Sequence, residues 1–327
     1  MADTTRVPLV DVHAHFLTEK YVRAAKDAGN IQPDGMSDWP IWDAEQHLDL
    51  MDQWGISTSI LSISSPGVWF GDADQSRTLA RHVNDVAAET RRAHPGRFGH
   101  FASLPLPDVA AALNELEYAM DQLGADGVAT ESNLDGVYLG EKRYEPLLAE
   151  LDRRRTPVFV HPTSPPHYES VSLGRPRPML EFLFDTTRAV SDLVFSGHLQ
   201  RYPNIPWVFT HGGGTLPLLT QRMELFRSVF GGLSAEGENS VGPIPEQVAR
   251  LWFDMAGTPF PYQVPALTAA FGSDRVLYGS DYCWTPASGT TLQVDSIDAA
   301  PQPEGDTWRA LTTRNAKRLF PRLGDLT

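Results

Sequence analysis

The stretch Val7-Pro8-Leu9-Val10-Asp11-Val12-His13-Ala14-His15 decides how this chain is read. Its apolar, β-branched run ends in two histidines one residue apart. Alternate side chains of a strand share a face, so a strand here would send both imidazoles the same way as it leaves its sheet. Three later segments repeat the pattern of an apolar run closing on a metal-ligand type of residue: Pro157-Val158-Phe159-Val160-His161, Trp207-Val208-Phe209-Thr210-His211 and Val276-Leu277-Tyr278-Gly279-Ser280-Asp281.

Between these runs the chain alternates. After the first strand the sequence predicts a helix from Asp43 to Trp54, with Asp43 as its N-cap, and a strand from Ser57 to Ile63. The alternation continues through strands at 97–104, 125–130, 157–160, 205–210, 250–255 and 275–279, with helices between them, among them 74–93, 179–201, 216–230 and 263–271, and a closing helix at 307–319. Eight strands alternating with helices imply a parallel sheet closed into a (β/α)8 TIM barrel. An open doubly wound sheet is the other arrangement of such units. It would not bring strands one, five, six and eight together, whereas a barrel gathers their C-terminal ends around one mouth.

The chain has 327 residues, a length that such barrels reach as one unit, so a single domain over 1–327 is expected. Gly- and Pro-containing stretches at 29–40, 164–178 and 285–305 read as long loops over the mouth. No run approaches the roughly 20 apolar residues of a membrane span, and Met1–Arg6 lacks the basic and apolar regions of a secretory signal, so a soluble, cytoplasmic protein is expected. Cys283 is the only cysteine, which excludes an intrachain disulfide and a cysteine-based zinc knuckle. A net charge of −14 argues against a nucleic-acid partner.

Any metal must therefore be held by histidine and carboxylate. His13, His15, His161 and Asp281 form a set suited to one divalent ion, zinc or a similar first-row metal. His211 opens the run His211-Gly212-Gly213-Gly214, where glycines let the backbone crowd a ligand, and an unligated imidazole there can carry protons near neutral pH. Aromatic residues near the mouth, including Phe16, Trp39, Trp69, Phe70, Tyr282 and Trp284, are candidates to clamp an aromatic ring.

Together, Val10-Asp11-Val12-His13-Ala14-His15-Phe16, Val160-His161-Pro162, His211-Gly212-Gly213-Gly214, Gly279-Ser280-Asp281-Tyr282 and Asn315-Ala316-Lys317-Arg318-Leu319-Phe320 resemble the amidohydrolase superfamily. Within it the chain is similar to the group containing aminocarboxymuconate-semialdehyde decarboxylase. The segments Glu131-Ser132-Asn133, Asp185-Thr186-Thr187-Arg188 and Gly214-Thr215-Leu216-Pro217 look closest to 6-methylsalicylate decarboxylase-like members. The resemblance implies one divalent metal, zinc first and manganese second, on His13, His15, His161 and Asp281, with His211 as the acid/base residue. It implies nonoxidative decarboxylation of a hydroxylated, salicylate-type aromatic acid, with His211 or Asp281 delivering the proton. It also implies a homodimer, because Arg222 matches an arginine that can reach a neighbouring subunit's site.

Two departures stand out. Some decarboxylases of the group carry Glu where His13 stands, and 29–40 contains no Arg to match the substrate-binding arginine of the muconate enzyme. Metal-dependent hydrolysis of an ester, lactone or amide would use the same residues, and a noncatalytic binding protein on the same fold is the remaining alternative.

Overall fold

The computed structural model describes residues 7–230 and 241–326. The expectation attached to Met1–Arg6 lies outside them. Eight strands pair in parallel in chain order: β1 (Leu9–His15), β2 (Ile56–Ser62), β3 (Phe98–Ser103), β4 (Gly127–Glu131), β5 (Val158–His161), β6 (Trp207–Phe209), β7 (Trp252–Asp254) and β8 (Val276–Leu277). The chain just past β8 closes the ring against β1. Val12 N–H donates to the Tyr278 carbonyl at 2.9 Å and Asp281 N–H to that of His13 at 2.7 Å. Asp11 clasps this seam, taking the Ser280 N–H at 3.0 Å and the Ser280 hydroxyl at 2.7 Å. The expected (β/α)8 barrel is the fold.

Side chains from alternate positions fill the barrel. Val10, Val12, Ile60, Phe101, Phe159, Val208 and Leu277 form an inner cluster, and Leu319 and Phe320 join it from the C-terminal helix. Strict alternation would turn His13 and His15 away from a face already taken by Val10 and Val12. β1 carries one extra residue here: Asp11 pairs with Ser59, but the next pair is Ala14 with Leu61. This bulge resets the phase, so the imidazoles face the barrel axis above the apolar plug, where His13 meets the edge of Phe159 at 5.0 Å.

Around the barrel lie helices α1 (Glu19–Asp27), α2 (Ala44–Trp54), α3 (Ala73–Ala93), α4 (Val109–Tyr118), α5 (Glu145–Arg154), α6 (Glu181–Phe195), α7 (His198–Arg201), α8 (Leu216–Phe230), α9 (Ile244–Val248), α10 (Val264–Phe271), α11 (Ala287–Ala299) and α12 (Trp308–Leu319). Asp43 caps α2 as expected, accepting the Gln46 N–H. Three readings need correction. The stretch 285–305 is largely helix α11 rather than a loop. The single helix expected over 179–201 is two, parted at Gly197, whose φ of +76° ends helical geometry. Helix α1, capped by the Thr18 hydroxyl, was not anticipated. Among the described residues no helix is long and apolar enough to cross a membrane.

Candidate active site

The C-terminal ends of β1 and β5, and the segments that follow β6 and β8, meet at the mouth. One ligand atom from each of His13, His161, His211 and Asp281 lies within 4.8 Å of the others. His15 joins the cluster, its Nε2 standing 3.0 Å from that of His13 and 3.2 Å from Asp281 Oδ1.

Three of the imidazoles are oriented alike. His13 Nδ1 is held by Asp254 Oδ2 at 2.8 Å, His161 Nδ1 by the Pro162 carbonyl at 2.7 Å, and His15 Nδ1 by the Ser62 carbonyl at 3.3 Å. Each acceptor fixes the proton on Nδ1 and leaves the Nε2 lone pair for a cation. His211 differs. Its Nδ1 is buried with no partner among the described residues, and its Nε2 faces Asp281 Oδ2 at 3.5 Å, whereas His13 and His15 face Oδ1. One carboxylate therefore separates a ligand-like trio from a fourth imidazole that has no orienting acceptor.

The electrostatics agree with a cation site. Burial, with the crowding of neighbouring imidazoles, keeps His161 well below its ordinary value and so neutral; burial likewise lowers His15. Burial also opposes charge on His13, but the Asp254 and Asp281 carboxylates outweigh it and push His13 up to about 10. Asp281, also penalised by burial, is held well below the usual carboxylate range by His13, His15 and His211. Two buried carboxylates thus call for positive charge. Neutral His15 and His161 and the Asp281 carboxylate converge with His13 on one point, and a divalent ion such as zinc or manganese there would displace the second proton of His13.

The cluster opens into a cavity of about 440 Å³. His161, His211 and Asp281 form its floor, and Met36, Met179, Phe182, Leu183 and Trp284 give it apolar walls. Of the aromatic residues expected to touch substrate, Trp284 lines the cavity, backed by Trp39 at 5.5 Å. The others do not. Phe16 is buried against Trp42, and Tyr282 packs outward on His47 and Trp54, because the residues next to His15 and Asp281 take the opposite face. Trp69 is tied to Asp135 beside a separate small void. Arg222 lies on the outer face of α8, over the Phe226 ring at 5.0 Å, and does not reach this chain's own cavity.

Sequence reading missed several residues. Asp254 holds His13 and also accepts the N–H groups of His211 and Ala256, both at 2.9 Å. Ser64 places its hydroxyl 3.3 Å from His161 Nε2, and Asp34, Ser65, Thr258 and Gln263 line the cavity. Asp185, from the Asp185-Thr186-Thr187-Arg188 segment already singled out, is buried and accepts from Ser132, Asn133 and Tyr138 without lining the cavity.

The chain belongs to the amidohydrolase family, whose model matches residues 10–322. Among curated proteins it is similar to the 6-methylsalicylic acid decarboxylase of Penicillium expansum, with 36% identity over 323 residues covering 96% of each chain. A crystal structure of an amidohydrolase II superposes with a TM-score of 0.88 at 31% identity, covering 96% of this chain and 99% of that one. A 2,6-dihydroxybenzoate decarboxylase, solved with 2,6-dihydroxybenzoate, gives a TM-score of 0.83 at 25% identity, covering 97% and 100%.

Proposed function

We propose that this protein is a metal-dependent nonoxidative decarboxylase of a hydroxylated, salicylate-type aromatic acid. The observation that carries the reading is the asymmetry within the cluster: three imidazoles with Nδ1 held and Nε2 turned inward, and a fourth, with no Nδ1 acceptor among the described residues, beside the second oxygen of Asp281, which also accepts from the Thr285 hydroxyl. His13, His15, His161 and Asp281 would hold one divalent ion, zinc or manganese. When bound, that ion supplies the charge that fixes the carboxylate and the neighbouring hydroxyl oxygen of the acid. The apolar walls around Phe182 and Trp284 accept the ring and exclude water.

A proton delivered by His211 Nε2 or through the facing Asp281 Oδ2, 3.5 Å away, goes to the ring carbon that bears the carboxylate. A C–H bond forms there, the C–C bond to the carboxylate breaks, and its electron pair restores the aromatic ring as CO2 leaves. Asp254 keeps His211 in register with His13, because one carboxylate holds both the His13 ring and the backbone of His211.

The assembly proposed is a homodimer through α8. That helix turns Leu218, Leu225, Val229 and Phe230 to solvent, beside a groove of about 520 Å³ lined by Leu219, Arg222, Met223 and Phe226. Arg222 would act across this interface on the partner's site. Sedimentation velocity of Val229→Glu beside the wild-type chain tests it, with a monomer expected from the variant alone.

The deciding experiment incubates metal-loaded protein with salicylate-type acids, including 6-methylsalicylate, and measures products by mass spectrometry and metal content by elemental analysis. CO2 release that falls by roughly 10²- to 10⁴-fold in His211→Ala, with metal retained, is the expected result. Turnover of ester or lactone substrates with no CO2 from any acid would overturn it in favour of hydrolysis.

A further inference from the structure

Asp34 stands in the cavity wall and has no part in the chemistry above. It lies on the short turn Pro33–Gly35 after α1, at a φ of 51°, and its side chain is buried. Aspartate tolerates the left-handed region better than most residues, but that conformation persists only where its surroundings hold it. Here the surroundings are polar and come from two other segments. The Ser164 hydroxyl donates to Asp34 Oδ1, and Arg177 Nε donates to the same Ser164 oxygen at 2.9 Å. The Arg177 guanidinium lies over the Tyr168 ring at 4.2 Å. Ser65, a further lining residue, is bonded to Thr163 at 2.7 Å, two residues past His161. Asp34 is therefore fixed relative to the end of β5, the strand that carries His161.

Burial raises the Asp34 carboxyl above its ordinary value, and the Ser164 and Ser65 hydroxyls with the Arg177 guanidinium offset only part of that cost, whereas an uncharged Asn or Ser could accept the Ser164 hydroxyl without it. The neighbouring walls are apolar: Met36, Pro178, Met179 and Phe182. Among the described lining residues, Asp34 and Asp281 are the two carboxylates, and none is Lys or Arg. Asp281 is engaged by the histidines. The cavity thus has a cation-binding floor and a single further ionisable acceptor in its wall. Its volume of about 440 Å³ leaves room for a ring with more than the carboxylate and its adjacent hydroxyl.

We propose that Asp34 is a specificity-determining residue: it accepts a hydrogen bond from a hydroxyl or amino substituent on the substrate ring, remote from the carboxylate held at the histidine cluster, and rejects rings with a second carboxylate there. The inference rests on the decarboxylase reading above. A donor on the ring gains a charge-assisted bond in a low-dielectric wall, while a methoxy group at the same place offers no proton and a carboxylate meets like charge.

The test compares kcat/KM of the metal-loaded enzyme on 2,4- and 2,5-dihydroxybenzoate with that on the matching 4- and 5-methoxysalicylates, and on 5-carboxysalicylate, with 6-methylsalicylate as reference. The wild-type enzyme should favour hydroxyl over methoxy at one of the two ring positions by about 10- to 100-fold, mostly through KM, the size of one hydrogen bond to a charged group. Asp34→Ala should erase that ratio and improve the relative use of 5-carboxysalicylate. Ser164→Ala, which cuts the loop tie but leaves the carboxylate, should keep the ratio. A wild-type ratio near one at both positions, or equal losses on every acid in both variants, would mean that Asp34 only ties the loops, and would overturn the proposal. If the wild-type enzyme releases CO2 from none of these acids, the decarboxylase reading fails separately. The same hydroxyl-to-methoxy ratio, read as Kd by calorimetry on the metal-loaded protein, then decides the role of Asp34.

Discussion

At the scale of single residues, the site is built from the strand-end histidines and the acceptors behind them. The histidines were legible because each closes an apolar run, a pattern that survives without any contact information. The acceptors were not, although Trp252-Phe253-Asp254 obeys the same rule. Reading that strand on to Met255 placed Asp254 inside it, when the strand in fact ends at Asp254. Asp254 now carries a sharp expectation. Asp254→Asn keeps the shape but weakens the acceptor that fixes the His13 tautomer, so metal affinity should fall by roughly 10- to 100-fold, as it does when a ligand's orienting partner is lost. Competition with a metal-chelating dye would measure it. An unchanged affinity would show that His13 is oriented by packing alone. The aromatic residues of the mouth were the least legible, because an aromatic side chain next to a candidate ligand in sequence points away from the face that ligand takes. Tyr282 beside Asp281 and Phe16 beside His15 both do so, and each is buried against the surrounding aromatic residues.

At the scale of elements, the order of strands and helices could be read from periodicity, but two devices that shape the site could not. The bulge in β1 inserts one residue and leaves no sequence pattern, yet without it Val10, Val12 and the two histidines could not share the barrel interior. Helix α11 was hidden by Pro286, Gly289 and the Pro-rich stretch after it. Its buried positions Thr290, Gln293, Val294 and Ile297 keep helical spacing, but two of them are polar and mask the stripe. The glycine run after His211 was legible as a close approach, and its tightest point is Gly214. A Cβ there would stand 2.1 Å from the Leu183 carbonyl, at a φ of +63°. Gly29, at a φ of +96°, has none of the described residues within 4 Å of such a Cβ. Both alanine variants carry backbone strain of roughly 1–3 kcal/mol. Gly214→Ala adds the collision with the first turns of α6 and should be clearly the less stable in chemical denaturation, with His211 displaced and CO2 release reduced. Equal losses from the two would mean that α6 yields freely.

At the scale of the whole molecule, the barrel buries titratable groups that take no part in the site, and these set how its stability responds to acid. His100 in β3 is buried with neither ring nitrogen partnered among the described residues, and burial, with Arg91, Arg322 and Arg92 nearby, lowers it to about 3. His47 in α2 is also lowered to about 3, by burial and by Arg97, although the Trp42 indole N–H satisfies its Nδ1. Both stay neutral in the native state. In the unfolded chain each takes up a proton below about pH 6.5, so its contribution is complete above that value and is lost as pH falls toward the folded-state value. The slope is about 1.4 kcal/mol per pH unit for each histidine, or roughly 2 kcal/mol between pH 7 and pH 5. Buried carboxyls act the other way. Burial raises Asp126 and, against its Ser280 bonds, lifts Asp11 to about 6, so both are protonated in the native state before the unfolded one as pH falls. The total pH profile therefore mixes opposing contributions, and a difference between variants isolates one of them. Urea unfolding of wild-type and His100→Leu protein at several pH values from 7.5 to 5 should show the gap between them shift by about 2 kcal/mol against the wild type as pH falls from 7 to 5, because the variant has no imidazole to protonate on unfolding. Parallel curves would mean that His100 binds a proton equally in both states, and that the acid sensitivity of the barrel arises elsewhere.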